Sequence, residues 1–231
     1  KLQIMDKHWE QALITLTNLR KNYPTYHYSL QLLKNVYIKL NQWGQLNDIL
    51  PDLERFKLLS SDEVEALAKL TTQHRLTRAA DLSSLYNLWD SCSRLRKKDP
   101  SIICSYAKRL IDLKEEKQAQ VIIEKTLKKQ WTSDLTLLYS QLSHIDTTEQ
   151  LATVERWHQE HPSDINLLLA IAKLAEEDGF HHKAVEHLKQ AYSLKPSNHI
   201  AGLLAKIYDT MGNSNEALQY MRLMLSKNHD G

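Results

Sequence analysis

The C-terminal third of the chain repeats a pattern of small residues with a period of 33 residues. Gly179 is followed five residues later by Ala184, and Gly212 is followed at the same interval by Ala217. An apolar stripe with helical spacing precedes each glycine: Leu168, Ile171, Ala172 and Ala175 before the first, and Ala201, Leu204, Ala205 and Tyr208 before the second. Small residues let two helices approach closely, and glycine closes the turn between them. The pattern therefore predicts antiparallel helix pairs stacked in series.

This two-helix unit is typical of tetratricopeptide repeats, and small and apolar residues extend it upstream, from Ala107 and Ala119 back to Ala12. We predict an all-α solenoid of helical hairpins with about thirteen helices, wound as a right-handed superhelix. It is expected to comprise tetratricopeptide-like repeats over residues 1–57, an irregular long-helix repeat over 58–98 and further repeats over 99–231. Two stretches fit less well: Leu58 to Arg96, with a capping box at Ser60, and Thr132 to Pro162, whose second helix is predicted to be compressed.

Glycine and proline are scarce, with five of each among 231 residues. This leaves little turn chemistry for an all-β fold or a glycine-rich phosphate loop. The net charge of +2 gives no support for charge-driven nucleic-acid binding, so we expect no nucleic-acid partner. The sequence contains none of the GxSxG, HExxH, GxGxxG or P-loop motifs, and its two cysteines do not form a ligand set. We therefore predict neither an enzyme nor a metal site.

Setting the repeats in register places three lysines at one offset of successive first helices. Lys108, Lys173 and Lys206 each follow an apolar residue by two positions, and this offset is expected to face a concave groove. The same frame adds to this wall Cys104, Asn166 and His199, and in the N-terminal repeat Tyr28, Gln31, Asn35 and Lys39. A column of ammonium groups suits the carboxylates of a peptide tail or the propionates of a porphyrin. His199 is the candidate axial haem ligand, and the competing interpretation is that the lysines are solvated and bind nothing.

A basic run, Arg94, Arg96, Lys97 and Lys98, is predicted to close a helix just before Asp99-Pro100. Because cations suit a helix C-terminus, a solvated helix end is the first interpretation, and contact with a membrane surface is the alternative. The N-terminus shows no signal-peptide pattern, and the chain begins without Met inside a helical pattern. We therefore expect that an upstream part precedes this chain.

Several segments resemble the HemY family, in that family's order. They are Leu40-Asn41-Gln42-Trp43 with Leu50-Pro51, Leu88-Trp89, Asp99-Pro100 with Tyr106-Ala107, Gln130-Trp131 with Leu138-Tyr139, Glu155-Arg156-Trp157 with His161-Pro162, and the stretch from Gly179 to Leu225. The resemblance implies a bacterial inner-membrane protein associated with haem biosynthesis, in which two N-terminal membrane helices precede a tetratricopeptide domain. It supplies no catalytic motif that can be carried over to this sequence.

Two functions remain open at this point. In the first, the domain is a scaffold or regulator that faces the cytoplasm at the inner membrane. It holds late haem-pathway enzymes such as ferrochelatase, or a tetrapyrrole that passes between them. In the second, it is an adaptor for cell-envelope assembly that binds the peptide tails of partner proteins, with no tetrapyrrole involved.

Overall fold

The computed structural model describes residues 8–226, which form thirteen α-helices, one short 3₁₀ helix and no β-strand. In chain order the helices are α1 (Trp9–Asn22), α2 (Tyr28–Lys39), α3 (Trp43–Arg55), α4 (Ser61–Thr77), α5 (Leu82–Ser91), α6 (Pro100–Asp112), α7 (Glu116–Leu127), α8 (Ser133–Tyr139), α9 (Thr147–Glu160), α10 (Ile165–Glu177), α11 (His181–Leu194), α12 (Asn198–Thr210) and α13 (Ser214–Ser226). The 3₁₀ helix, Arg96–Lys98, lies between α5 and α6. Within this part of the chain, no helix has the length and apolar character needed to cross a bilayer.

The chain divides into two compact units between Arg109 and Leu110. In the first unit, each helix from α1 to α4 packs against the next helix in sequence. In the second unit, α10 packs against α8, α9 and α11, and α12 packs against α11 and α13. Packing between near neighbours in sequence is characteristic of a helical solenoid, so the predicted all-α, tetratricopeptide-like class is confirmed. The division into residues 1–57, 58–98 and 99–231 stays a prediction, and its two outer segments extend beyond the described residues.

The alanines of the repeat pattern are buried between the helices. Ala175 of α10 and Ala184 and Ala191 of α11 are completely inaccessible to solvent. Because an alanine side chain is short, the axes of two packed helices can approach there, and leucines such as Leu174 and Leu188 fill the space on either side. The small residues in the sequence therefore mark the helix contacts in the structure.

Five of the described helices end in the same hydrogen-bonded turn. At Gly179, where φ is 81°, the glycine N–H donates to the carbonyl three residues back and the N–H of Phe180 donates to the carbonyl five residues back. This pair of bonds is the Schellman motif. The residues with positive φ that repeat it are Asn41, Lys57, Lys114 and Gly212. The sequence revealed only the two turns in which the residue is glycine.

Two predicted helix starts are confirmed. Ser60 and Glu63 form a complete capping box, because the Glu63 N–H donates to Ser60 Oγ at 3.3 Å and the Ser60 N–H donates to Glu63 Oε2 at 2.8 Å. Helix α6 begins at Pro100, where the absent N–H costs no helical hydrogen bond. Asp99 caps this start by accepting the N–H of Ser101 at 2.9 Å.

The stretch from Thr132 to Pro162 is irregular, but for a different reason from the one predicted. Its second helix, α9, has 14 residues, whereas its first helix, α8, has only seven. The prediction of a compressed second helix is therefore wrong. Helix α8 stops at Tyr139 because the backbone that follows it is bound by side chains from three other helices, Glu116 of α7, Gln150 of α9 and Lys173 of α10.

The basic run also lies in a different place from the one predicted. Helix α5 ends at Ser91, and Cys92 has an extended backbone, so Arg94 to Lys98 follow the helix instead of closing it. The prediction of a helix end at this run is wrong, because the chain turns through residues 93–95 and continues as the 3₁₀ helix. Of the long helices expected between Leu58 and Arg96, α4 has 17 residues and α5 only 10.

Candidate interaction surface

On α2, the four predicted groove residues form one stripe along the helix: Tyr28, Gln31, Asn35 and Lys39. All are exposed except Gln31, which is half-buried. Gln31 is also held in place, because its Nε2 donates to the Leu58 carbonyl oxygen at 3.2 Å. The Tyr28 ring packs edge-on against the Tyr26 ring, with centroids 6.2 Å apart. The stripe therefore presents an aromatic ring, an amide and an ammonium group to solvent.

On α6, Lys108 is exposed and lies four residues after the half-buried Cys104. The adjacent Arg109 is directed inward, since its Nε donates to the Ala79 carbonyl oxygen at 2.8 Å. Of these two neighbouring cations, only Lys108 is fully available to a partner in solution.

In the second unit, the predicted residues occupy equivalent positions on α10 and α12. Asn166 and His199 are the second residues of their helices, and Lys173 and Lys206 are the ninth. Asn166 Nδ2 donates to Asp134 Oδ1 of α8 at 2.8 Å. His199 is exposed. The alignment of the repeats made from the sequence thus corresponds to equivalent places on successive first helices.

Both lysines of this unit contact the preceding repeat. The Lys173 ammonium group donates to the Ser140 carbonyl oxygen and lies 3.2 Å from Glu177 Oε1. Lys206 Nζ lies 2.9 Å from Glu176 Oε1. The hydrogen bond to this carboxylate, together with its negative charge, raises the pKa of Lys206. The positive charges on α10 and α12 are therefore balanced by neighbouring carboxylates, and this surface suits a partner with mixed charge better than a polyanion.

Asp164 connects two repeats of the second unit, and it is not among the residues predicted from the sequence. Its carboxylate accepts hydrogen bonds from Trp131 Nε1 at 2.7 Å, from Ser133 Oγ at 2.5 Å and from the N–H of Leu167 at 3.1 Å. The last bond caps α10. An Asp directly before a long apolar run is an N-cap signal, so this role could have been found from the sequence.

Histidines do not form a metal centre in the part of the chain that the structure describes, where no cluster of three or more potential ligands occurs. His158 of α9 and His187 of α11 face each other edge-on, with ring centroids 5.3 Å apart. Burial, and then the neighbouring His158, lower the pKa of His187. This edge-on contact between two rings fits helix packing.

Comparison with known proteins gives relatives of this chain but no matching family model. The chain is 26% identical to Protein HemY of Escherichia coli K12 over 205 residues, which is 85% of this chain and 51% of HemY. The HemY proteins of Escherichia coli O157:H7 and Shigella flexneri match to the same extent. The chain therefore spans about half the length of the curated relatives it matches.

Two solved protein structures superimpose on this chain. Human IFIT1, in a dimer with m7Gppp-AAAA, superimposes with a TM-score of 0.53 at 14% identity, covering 96% of this chain and 66% of IFIT1. A MamA AMB-1 structure superimposes with a TM-score of 0.49 at 15% identity, covering 64% of this chain and 90% of the MamA chain. At these identities the likeness to IFIT1 shows a shared helical-repeat architecture and nothing about the ligand.

Proposed function

We propose that this chain is a non-catalytic scaffold that serves haem biosynthesis at the bacterial inner membrane. The observation that carries the proposal is the similarity to HemY, because it extends over 205 residues and includes both units. The fold supports a binding role, since a solenoid exposes long runs of equivalent side chains and needs no enclosed pocket to recognise another protein. The proposed partners are late haem-pathway enzymes, with ferrochelatase as the first to test.

The proposed contact surface in the second unit consists of the exposed faces of α10 and α12. Glu177 and Lys206 have side chains that are 49% and 66% exposed, and His199 lies at the start of α12. Paired opposite charges cost little to leave in water, and they can exchange partners when a protein with complementary charges docks. This arrangement favours specificity and a salt-sensitive association rate.

The test is affinity capture of the membrane-embedded full-length protein, followed by identification of the bound proteins. We expect haem-pathway enzymes to be recovered, and a Lys206→Glu variant to recover less of them. The matched control is Lys125→Glu on α7, which changes the charge at another exposed lysine of the same unit. Recovery of envelope-assembly proteins without any haem-pathway enzyme would contradict the proposal and support the adaptor function instead.

Tetrapyrrole binding is a separate part of the proposal. It is tested by titrating the chain with haem and following the Soret band, in parallel with a His199→Ala variant. A ligand held by His199 should show a shifted Soret band that this substitution abolishes. If the Soret band of haem does not shift when the wild-type chain is added, the tetrapyrrole is removed from the proposal and only the protein scaffold remains.

A further inference from the structure

The turn at residues 93–98, here called the basic turn, is held together by hydrogen bonds of its own. The Lys97 N–H donates to the Ser93 carbonyl and the Lys98 N–H to the Leu95 carbonyl, both at 3.0 Å. The N–H of Arg96 also donates to Ser93 Oγ at 3.3 Å. Because these bonds fix the backbone, they also fix the positions from which the side chains of the turn extend.

At the tip of this turn an apolar side chain faces water. Leu95 is 81% exposed, more than any other large hydrophobic residue that the structure describes. Such a position contributes little to folding, because the side chain buries almost no apolar surface. The Leu95 side chain is therefore accessible to an apolar surface outside the chain.

The cations around Leu95 differ in how they are neutralised. Arg96 is held by Glu65, with its Nη2 2.8 Å from Glu65 Oε2 and its Nε 3.2 Å from Glu65 Oε1. Lys97 lies 3.5 Å from an exposed Asp90 carboxylate. Arg94 and Lys98 are both exposed, on either side of Leu95. The tip therefore combines an apolar side chain with an excess of positive charge.

A polar cavity of about 290 Å³ lies beside this turn in the same unit. It is lined by Cys92, Arg96 and residues of α3, α4 and α5 that include Asn47, Thr72, Arg75 and Ser91. Arg75 and Arg96 both line this polar cavity, and Arg96 also pairs with Glu65. Guanidinium groups bind phosphate oxygens through paired hydrogen bonds, so an anionic phosphate group has the charge and hydrogen-bonding chemistry that this lining fits.

The geometry points to a docking surface for an anionic phospholipid membrane. Leu95 enters the interfacial region of the bilayer, Arg94 and Lys98 contact headgroup phosphates, and one headgroup phosphate occupies the cavity that Arg75 lines. An apolar tip favours this partner over a nucleic acid, because a leucine has no counterpart on a phosphate backbone. The inference uses only this turn and its cavity, so it does not depend on the proposed role in haem biosynthesis.

The test is co-sedimentation of the 231-residue chain with vesicles of phosphatidylcholine alone or mixed with phosphatidylglycerol. We expect binding only to the anionic vesicles, and weaker binding as salt is raised. Leu95→Ser should lower the partition coefficient about tenfold, because a leucine no longer leaves water. Each of Arg94→Gln and Lys98→Gln should lower it about fivefold at low salt.

Matched controls keep these results specific. Val121→Ser removes another exposed apolar side chain, and Lys128→Gln another exposed lysine, both in the second unit, and neither should change binding. Arg75→Gln tests the cavity, and it should weaken binding to phosphatidylglycerol vesicles while circular dichroism confirms that the helices remain. Soluble glycerol phosphate and a single-stranded oligonucleotide are tested as competitors.

Three outcomes would overturn the inference. The first is equal binding to neutral and anionic vesicles. The second is unchanged binding in a variant that combines Leu95→Ser with Arg94→Gln and Lys98→Gln. The third is binding of glycerol phosphate or the oligonucleotide by a chain that does not bind vesicles, which would assign the cations to a soluble anion.

Discussion

Helices α10 and α12 end in a different way from α8, although all three are first helices of their pairs. Helices α10 and α12 have 13 residues each, and each ends in a Schellman turn built from its own backbone and a glycine. Helix α8 has seven residues, and the backbone after it is bound by side chains from α7, α9 and α10. The regular pairs are thus specified locally, whereas the α8–α9 pair depends on distant polar residues.

This comparison predicts that removing Glu116 has the largest effect on stability. Its carboxylate accepts the Ser143 N–H at 2.6 Å, the Ser143 hydroxyl at 2.8 Å and the His144 N–H at 3.1 Å. Glu116→Ala removes several charge-assisted bonds and leaves a gap at a buried site, so we expect a loss of about 3 kcal/mol in the free energy of unfolding. Urea denaturation followed by circular dichroism measures it. The exposed Glu149→Ala is the control, and a similar loss there would contradict the prediction.

The same carboxylate makes stability depend on pH. Burial alone would raise the pKa of Glu116, but the hydrogen bonds from Ser143 and His144 outweigh it and lower the pKa below its ordinary value. A lowered pKa contributes stability above the unfolded-state pKa, and this contribution is lost as pH falls through the lowered value. The stability difference between the wild type and Glu116→Gln should therefore shrink as the solution is acidified below the ordinary carboxylate pKa. A constant difference would show that the carboxylate charge is not responsible.

Gln150 should have the next largest effect, because it binds the end of α8 from a buried position. Its Nε2 donates to the Tyr139 carbonyl at 2.9 Å and to the Leu142 carbonyl at 2.8 Å, and only 3% of the residue is exposed. Gln150→Leu keeps the volume but leaves both carbonyls without this donor, at an expected cost of about 2 kcal/mol. Hydrogen exchange of the amides in α8 should accelerate in this variant. If exchange in α12 accelerated equally, the effect would be global instead of local to α8.

The regular pairs are predictable from the sequence because their determinants lie close together in the chain. Gly179 and Gly212, with the alanines that follow, mark both the turn and the helix contact. Glu116 and Ser143 are 27 residues apart, and no local pattern relates a glutamate at a helix start to a distant turn. Similarly, Lys173 and Lys206 were correctly aligned from the sequence, since both are the ninth residue of their helices. The partner of Lys173 could not be predicted, because the Ser140 carbonyl is a backbone group that residue types do not indicate.

Lys173 and Lys206 provide a smaller test, because the same residue type at the same helix position has two roles. The Lys173 ammonium group binds a backbone carbonyl at the end of α8, and its side chain is 42% exposed. Lys206 forms an ion pair with Glu176, and its side chain is 66% exposed. We expect Lys173→Met to cost about 1 kcal/mol and Lys206→Met to change stability by less than about 0.5 kcal/mol. Equal losses in urea denaturation would show that both lysines act only as exposed ion-pair partners.

The smallest expected effect is a gain in stability, and it tests whether a locally specified turn can be improved. Lys114 has φ of 67° in the Schellman turn after α6, a conformation that disfavours a residue with a Cβ atom. Lys114→Gly removes this strain, at the cost of greater freedom in the unfolded chain, so we expect a net gain of about 0.5 kcal/mol in the free energy of unfolding, measured by urea denaturation.

Two control substitutions should lose stability. Gly179→Ala should lose about 1 kcal/mol, because no atom lies within 4 Å of the added Cβ and only the backbone strain remains. Lys108→Gly, in the interior of α6, should also lose about 1 kcal/mol, since glycine weakens a helix. A loss at Lys114 comparable to that at Lys108 would mean that this turn depends on the lysine side chain, as the end of α8 depends on its distant partners.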